Sequence, residues 1–331
     1  MPSPADPTRP RLRLHVVTGK GGTGKTTLAG ALALALAWDG ERVLLCEVEG
    51  RQGIAQLFDV APLPYEERTV AVTPGGGEVR ALAIDGEAAL LEYLQMYYRL
   101  GRAGRALDRF GVIDFATTIA PGLRDVLLTG KVYEAARRRN PSGDLVYDAI
   151  VLDAPPTGRI ARFLNVNTEV AGLAKVGPIR HQADSIMALM RSRRTAVHLV
   201  TVLEEMSVQE TLDGITELRR AGLPVGHVLV NLVRGSPLDD SARTALGAGS
   251  VAALTVEAAL HKAGIDATPQ LVAQLMAEGE DHLGRLQLQS AQRQALLGVD
   301  APVIELPFVA HGVDLGALHD LAEALTEQGL W

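Results

Sequence analysis

The polar and apolar positions of this chain fall into short apolar runs separated by longer stretches with helical character. Seven runs have strand length: Leu12 to Val17, Arg42 to Val48, Val79 to Ile84, Ala149 to Leu152, Ala196 to Leu203, Gly226 to Asn231 and Val303 to Leu306. They are rich in β-branched residues and do not alternate with polar ones, which is the pattern of parallel strands buried on both faces. Helices between such strands predict an α/β fold with a doubly wound, mostly parallel sheet, and ligands bind such sheets at the carboxyl ends of the strands. Two stretches are too long for simple alternation, Glu87 to Asn140 and Val251 to Leu297. Together with Asn167 to Arg194 they predict an inserted helical subdomain, contributed by about 87–140, 167–194 and 251–297. Arg234 to Ser250, rich in Gly, Ser and Ala, reads as a linker into it. The Pro-rich residues 1–10 read as a flexible tail, and 11–331 as one domain carrying the insert.

The first strand runs into Gly19-Lys20-Gly21-Gly22-Thr23-Gly24-Lys25-Thr26-Thr27. This is a P-loop. In G-x-x-x-x-G-K-[ST], backbone N–H groups cradle phosphates, the lysine reaches the terminal phosphates and the hydroxyl ligates Mg²⁺. The motif needs strand, glycine-rich turn and helix in that order. The helix is predicted from Lys25 to Trp38, where Ala and Leu dominate, with Gly40 at the position of a C-terminal cap. The candidate nucleotide ligands are therefore Gly21, Gly22, Thr23, Gly24, Lys25, Thr26 and Thr27, with Thr26 on the metal. Lys20 is a second lysine that the ordinary loop lacks.

A buried strand ending in a carboxylate occurs again at Tyr147 to Asp153. Beside a phosphate loop, such an Asp is the outer holder of Mg²⁺, so Asp153 joins Thr26 as a candidate metal residue. An Asp that merely caps the next helix is the alternative. The turn that follows, Ala154-Pro155-Pro156-Thr157-Gly158, is stiffened by proline, and Gly158 lets an N–H approach a γ-phosphate. A third carboxylate site lies in Glu47-Val48-Glu49, where strand alternation puts both glutamates on one face. A carboxylate here orients water or helps to position Mg²⁺, or is simply a surface pair at a strand end.

Composition narrows the picture. With 47% hydrophobic residues, the chain of 331 has ample apolar content for a core. Its lone cysteine, Cys46, excludes an internal disulfide and a Cys-x-x-Cys clip, and lies in an apolar strand. A net charge of −7 with 4% aromatic residues argues against nucleic-acid binding. No secretory h-region precedes the first strand, and Leu28 to Trp38 is too short to span a bilayer, which predicts a cytoplasmic protein with at most transient membrane association. The eight histidines, scattered from His15 to His319, form no cluster in sequence. Arg137 to Arg139 and Arg191 to Arg194 read as solvated helix ends. Leu90, Leu91, Leu94, Met96, Tyr97 and Tyr98 share one helical face, suited to a subdomain core or a client groove.

The combination GKGGTGKTT, YDAIVLDAPPTGRIARFL, GHVLVNLV and LPFVAHGVDLGALHDLAEAL resembles the family of arsenical-pump and tail-anchored-protein targeting ATPases. EVEGRQGIAQLFD and APGLRDVLLTGKV place it nearest an actinobacterial branch. The likeness runs from about Arg11 to the C-terminus. It implies a deviant-Walker ATPase that uses ATP and Mg²⁺, works as a dimer closing on ATP, and handles a hydrophobic or membrane-associated protein client. It also implies that Lys20 contacts the partner's nucleotide and that Asn231 reads the adenine ring, flanked by Pro307, Phe308 and Val309. Where the family's first switch reads Asp-Pro-Ala-His, this chain has Glu49-Gly50-Arg51-Gln52. Glu49 thus takes the water-orienting position with one extra methylene, and misplacement by about 1 Å costs on the order of a hundredfold in rate. Weak turnover is the resulting expectation. The alternative is a hydrolysis-impaired scaffold subunit in a heterodimer with a paralogue, in place of an active homodimer. Arsenite-binding cysteines and the intersubunit zinc motif are absent, so neither metalloid transport nor a zinc clamp is expected.

Overall fold

Apolar strands buried on both faces build a single central sheet. A computed structural model describes residues 11–98, 122–173, 178–310 and 312–330. The strands are β1 (Leu14–Gly19), β2 (Arg42–Glu47), β3 (Arg68–Val72), β4 (Glu78–Ala83), β5 (Ala149–Asp153), β6 (Thr195–Thr201), β7 (Val225–Val233) and β8 (Val303–Pro307). They lie in the order β3-β4-β2-β5-β1-β6-β7-β8. Every pair is parallel except β3 with β4. The α/β, doubly wound, mostly parallel architecture is therefore the observed one.

Helices cover both faces. On one face lie α1 (Lys25–Ala37), α2 (Gly53–Leu57) and α11 (Leu315–Glu327). Leu28, Leu32 and Leu34 of α1 pack there with Leu318, Leu321 and Leu325 of α11 and with Val43, Leu45 and Val151 of the sheet. Full burial of each such leucine is worth about 1.5–3 kcal/mol. The opposite face is covered by α4 (Leu123–Arg137), α5 (Thr157–Leu173), α6 (Pro178–Met190) and α7 (Glu205–Arg220), which contribute Val132, Phe163, Met190 and Leu218 to a second apolar cluster. Between β4 and α4 lies α3 (Gly86–Tyr98), packed against α4.

The structure departs from the sequence expectations in four places. Strand β3 falls in no predicted run, because an antiparallel edge strand with exposed Arg68 and Thr69 lacks the apolar signature of its neighbours. The predicted linker from Arg234 to Ser250 contains a helix, α8 (Asp240–Gly247), started by the Asp239 side chain accepting from the Ala242 N–H at 2.7 Å. The long stretch from Val251 breaks into α9 (Ala253–Lys262) and α10 (Pro269–Leu297). Gly264, at a φ of 75°, makes the break, and Thr268 caps α10 ahead of Pro269. Helix α5 begins at Thr157, well before the predicted Asn167, so it belongs to the sheet-covering layer. Residues 1–10, 99–121 and 174–177 of the predicted tail and helical spans lie outside the described residues, as do the side chains of Leu94, Met96, Tyr97 and Tyr98.

Histidines scattered in sequence meet in the sheet. His15 of β1 stacks on His198 of β6 with ring centroids 5.4 Å apart, and His198 stacks on His227 of β7 at 5.5 Å. The His227 backbone N–H donates to His198 Nδ1 at 3.2 Å, which fixes the His198 proton on Nε2, and Nε2 then donates to His15 Nδ1 at 3.2 Å. His15 Nε2 is left buried with no hydrogen-bond partner. Burial, followed by the nearby His227 and Arg11, pushes the His15 pKa down to about 4, and burial likewise drives His198 well below its ordinary value.

Candidate functional site: the carboxyl edge of β1, β2, β5 and β7

The phosphate loop is held from two sides. A Cβ at Gly19 would sit 2.2 Å from the Val200 carbonyl of β6, so only glycine lets β1 turn off so close to its neighbour. Gly24 precedes α1 with φ 89° and ψ 27°, and a Cβ there would come within 2.3 Å of Asn231 Nδ2. Asn231, 4% exposed near the end of β7, donates from Nδ2 to the Thr23 carbonyl at 2.9 Å. The Thr23 hydroxyl in turn donates to the Lys20 carbonyl at 2.8 Å. The loop backbone is thereby fixed ahead of the first turn of α1, which starts with Lys25, Thr26 and Thr27. The free N–H groups of that turn and the helix dipole make it a site for an anion.

Asn231, expected from the resemblance to read the adenine ring, also braces the loop. One N–H of its amide is engaged with the loop, because β7 lies close enough for the side chain to reach Thr23; the second N–H and Oδ1 are left to meet a base. Pro307 ends β8 and Phe308 and Val309 follow it, with the Phe308 N–H donating to the Val233 carbonyl at 2.9 Å. The Arg234 guanidinium lies 3.4 Å from the centre of the Phe308 ring. This stacked pair, and the exposed Leu232 in the left-handed region at φ 59°, were not visible in sequence.

Strand register brings the acidic groups together. Asp153 pairs with Val17 of β1 on one side and with Glu47 of β2 on the other. The Thr26 hydroxyl donates to Asp153 Oδ2 at 2.6 Å. Burial raises the Asp153 pKa to about 6; the Thr26 hydrogen bond and Lys25 oppose that rise, and Glu47 and Glu49 add to it. A nearly buried carboxylate among like charges, bonded to a hydroxyl, is under-neutralised. The oxygen chemistry of Thr26 and Asp153 fits Mg²⁺, which takes one or two carboxylates and fills its shell from substrate phosphates and water. Among the described residues no group of three or more His, Cys, Asp or Glu is arranged to hold a metal without such help.

The two glutamates of the first switch part company. Strand β2 ends at Glu47, which is 3% exposed and accepts from the N–H groups of Gly53 and Ile54. Glu49 lies past the strand, with Arg51 Nε 3.7 Å away. The alternation that put them on one face lapses where the strand stops. Lys20 is half-buried in the loop, and its side chain has no hydrogen-bonded or ionic partner among the described residues. Gly158 is exposed in the first turn of α5, with open space where a Cβ would stand. The turn before it is tied to β1, the Thr18 hydroxyl donating to the Pro155 carbonyl at 2.7 Å.

A phosphate loop, an Asp at the adjacent strand end and a tethered switch turn are the parts of a nucleotide hydrolase. Residues 12–193 match the sequence profile of the anion-transporting ATPases. The chain belongs to the anion-transporting ATPase family. ATPase BagA of Mycobacterium tuberculosis is 53% identical over 319 residues, covering 96% of this chain and 94% of that protein. The arsenical pump-driving ATPase of Escherichia coli is 29% identical over 239 residues, 65% of this chain and 38% of that protein. Its counterpart from Acidiphilium multivorum shows the same identity and coverage. Membership of the anion-transporting ATPase family makes the chain an ATPase, with nucleotide binding assisted by a metal such as Mg²⁺. No helix among the described residues is long and apolar enough to cross a membrane.

Proposed function

We propose that this chain is a cytoplasmic, ATP- and Mg²⁺-dependent dimeric switch that couples nucleotide turnover to the handling of a hydrophobic or membrane-associated protein client. The observation that carries the site assignment is the 2.6 Å hydrogen bond from the Thr26 hydroxyl to Asp153, directly beneath a braced phosphate loop. In this reading, Gly21, Gly22, Thr23, Gly24, Lys25, Thr26 and Thr27 bind the phosphates. Thr26 and Asp153 would hold Mg²⁺. Gly158 senses the γ-phosphate, while the Asn231 amide and the Pro307 to Val309 turn meet the adenine. Bound Mg²⁺ would supply charge neutralisation at the transferring phosphoryl group, and the loop residues orient that group.

Lys20 supports the dimer. A lysine in a phosphate loop without an internal partner is placed to meet an anion from outside, and a partner's nucleotide supplies one. The apolar side chains that α9 and α10 leave exposed, Leu254, Leu288 and Leu297, support a client-facing role for that layer. A second reading, a hydrolysis-impaired subunit paired with a paralogue, is favoured by Glu49, which lies past the strand and pairs with an exposed arginine at 3.7 Å.

Steady-state phosphate release from the full chain, alone and with a paralogue, tests both readings. Lys25→Ala and Asp153→Asn are expected to lower turnover by about a hundredfold or more, as loss of a transition-state electrostatic group does. Tight Mg·ATP binding by the wild type without release of phosphate selects the second reading. Sedimentation in Mg·ATP measures the assembly, and a strict monomer under all these conditions rejects the dimer.

A further inference from the structure

We propose that Glu47 is a positioning residue of the metal–phosphate centre, holding the first turn of α2 against Thr26 and beside Asp153 so that the switch turn and the metal residues stay in register. The proposal rests on the ATPase reading above and extends it to a residue that neither the loop motif nor the family switch pattern singles out.

Three observations carry it. Glu47, 3% exposed, splits its carboxylate between two backbone donors, with Oε1 3.2 Å from the Gly53 nitrogen and Oε2 3.4 Å from that of Ile54. Gly53 in turn faces Thr26: a Cβ built on it would lie 3.2 Å from the Thr26 methyl and 3.7 Å from its hydroxyl. Finally, Glu47 is the direct cross-strand neighbour of Asp153. One buried carboxylate thus holds the first turn of α2, that turn packs beside Thr26 with room for no more than a methyl between them, and the Thr26 hydroxyl bonds to Asp153.

The turn between these points needs such a tether. Gly50 and Gln52 both take positive φ, 67° and 56°, and the second is unfavourable for a side-chain-bearing residue. Its two ends are clamped, upstream by Glu47 and downstream by the Gln52 amide, which accepts from the Leu63 N–H at 2.7 Å and donates to the Leu63 carbonyl at 3.0 Å. Glu49 sits between the clamps, paired with Arg51 at 3.7 Å. The division of labour is that Glu47 stays fixed while Glu49 is the carboxylate able to swing toward the phosphates. A carboxylate suits the fixed role because each N–H here meets its own oxygen, whereas glutamine would turn its NH₂ toward one of the two donors.

Glu47→Gln in the full chain tests this. Hydrogen exchange at Gly53 and Ile54 is expected to lose protection without nucleotide, and the Mg²⁺ concentration for half-maximal phosphate release to rise about tenfold, as loss of an outer-shell partner does. Affinity for ATP measured in EDTA is expected to change by less than about twofold, because the phosphate loop is untouched. A purely structural role would instead lower the melting temperature and ATP affinity together. Gly53→Ala, whose methyl presses on Thr26, leaves the carboxylate intact and should raise the Mg²⁺ requirement in the same direction, which keeps the idea testable if Glu47→Gln fails to fold. Wild-type exchange and Mg²⁺ dependence in Glu47→Gln overturn the proposal. Failure of the wild type to bind Mg·ATP would overturn the ATPase reading instead, and the exchange measurement in nucleotide-free protein still decides the tether.

Discussion

Helix α1 and the α8–α10 layer are both rich in Ala and Leu, yet they have opposite fates. Eight of the thirteen positions of α1 from Leu28 to Ala35 are consecutively buried, caught between the sheet and α11. The twenty-nine residues of α10 bury Val272 and Leu296, and α8 and α9 bury none. Composition alone does not separate them; what separates them is whether another layer lies on the second side. In the proposed function the buried helix serves a site that must be rigid, since its first turn carries Lys25 and Thr26, the proposed phosphate and metal residues. The outer layer meets the body of the protein through α7 and through Arg293 of α10, which pairs with Glu305 of β8, and most of its surface is exposed. Its free apolar positions are the ones available to a partner.

That contrast can be broken by measurement. Leu32→Ala, at a site with no exposed surface, should cost about 3–5 kcal/mol in chemical denaturation, as large-to-small changes in packed cores do. A loss under about 1 kcal/mol would mean that α1 is not the packed centre of the fold.

The histidine row sharpens the same contrast through pH. Because the His15 pKa lies near 4 in the folded state, against about 6.5 when unfolded, the unfolded chain binds the proton first as pH falls. Stability therefore falls as pH drops from about 6.5 toward 4, by roughly 3 kcal/mol for His15, and the slope from this group ends once the folded state also protonates. Asp153, raised to about 6, works in the other direction, since its folded form holds a proton that the unfolded form releases. The reading that isolates the row is a difference between proteins. Urea titrations of His15→Leu across pH 4 to 7 should show a flatter acid limb than the wild type. Equal limbs in His15→Leu and wild type would show that the row does not hold neutral imidazoles.

The smallest effect belongs to the outer layer. Leu288→Ala, at a position 66% exposed, should change stability by no more than about 0.5 kcal/mol. A larger loss in the isolated protein would mean that the surface is already covered by a second copy, and its concentration dependence would reveal this.

Much of the site was legible in sequence because its parts are local. The phosphate loop, the Asp at the end of β5 and the proline turn are each contiguous motifs, and their chemistry depends on spacings within a few residues. The parallel sheet was legible for a similar reason, since strands buried on both faces need unbroken apolar runs. Strand β3 and helix α8 escaped notice because one is a polar edge and the other rests on a single Asp239 cap in a Gly- and Ser-rich stretch. Glu47 and Glu49 looked equivalent until the strand was seen to end between them.

By itself, the sequence determined the α/β layout, the anion-binding loop and the carboxylate that faces it, since these follow from backbone periodicity and short-range geometry. Only the tertiary structure decided that Asn231 braces the loop, that three distant histidines stack, and that Glu47 rather than Glu49 is anchored. Those outcomes depend on which strands become neighbours, and the order β2-β5-β1-β6-β7 is set by packing of the whole chain, which no local stretch encodes.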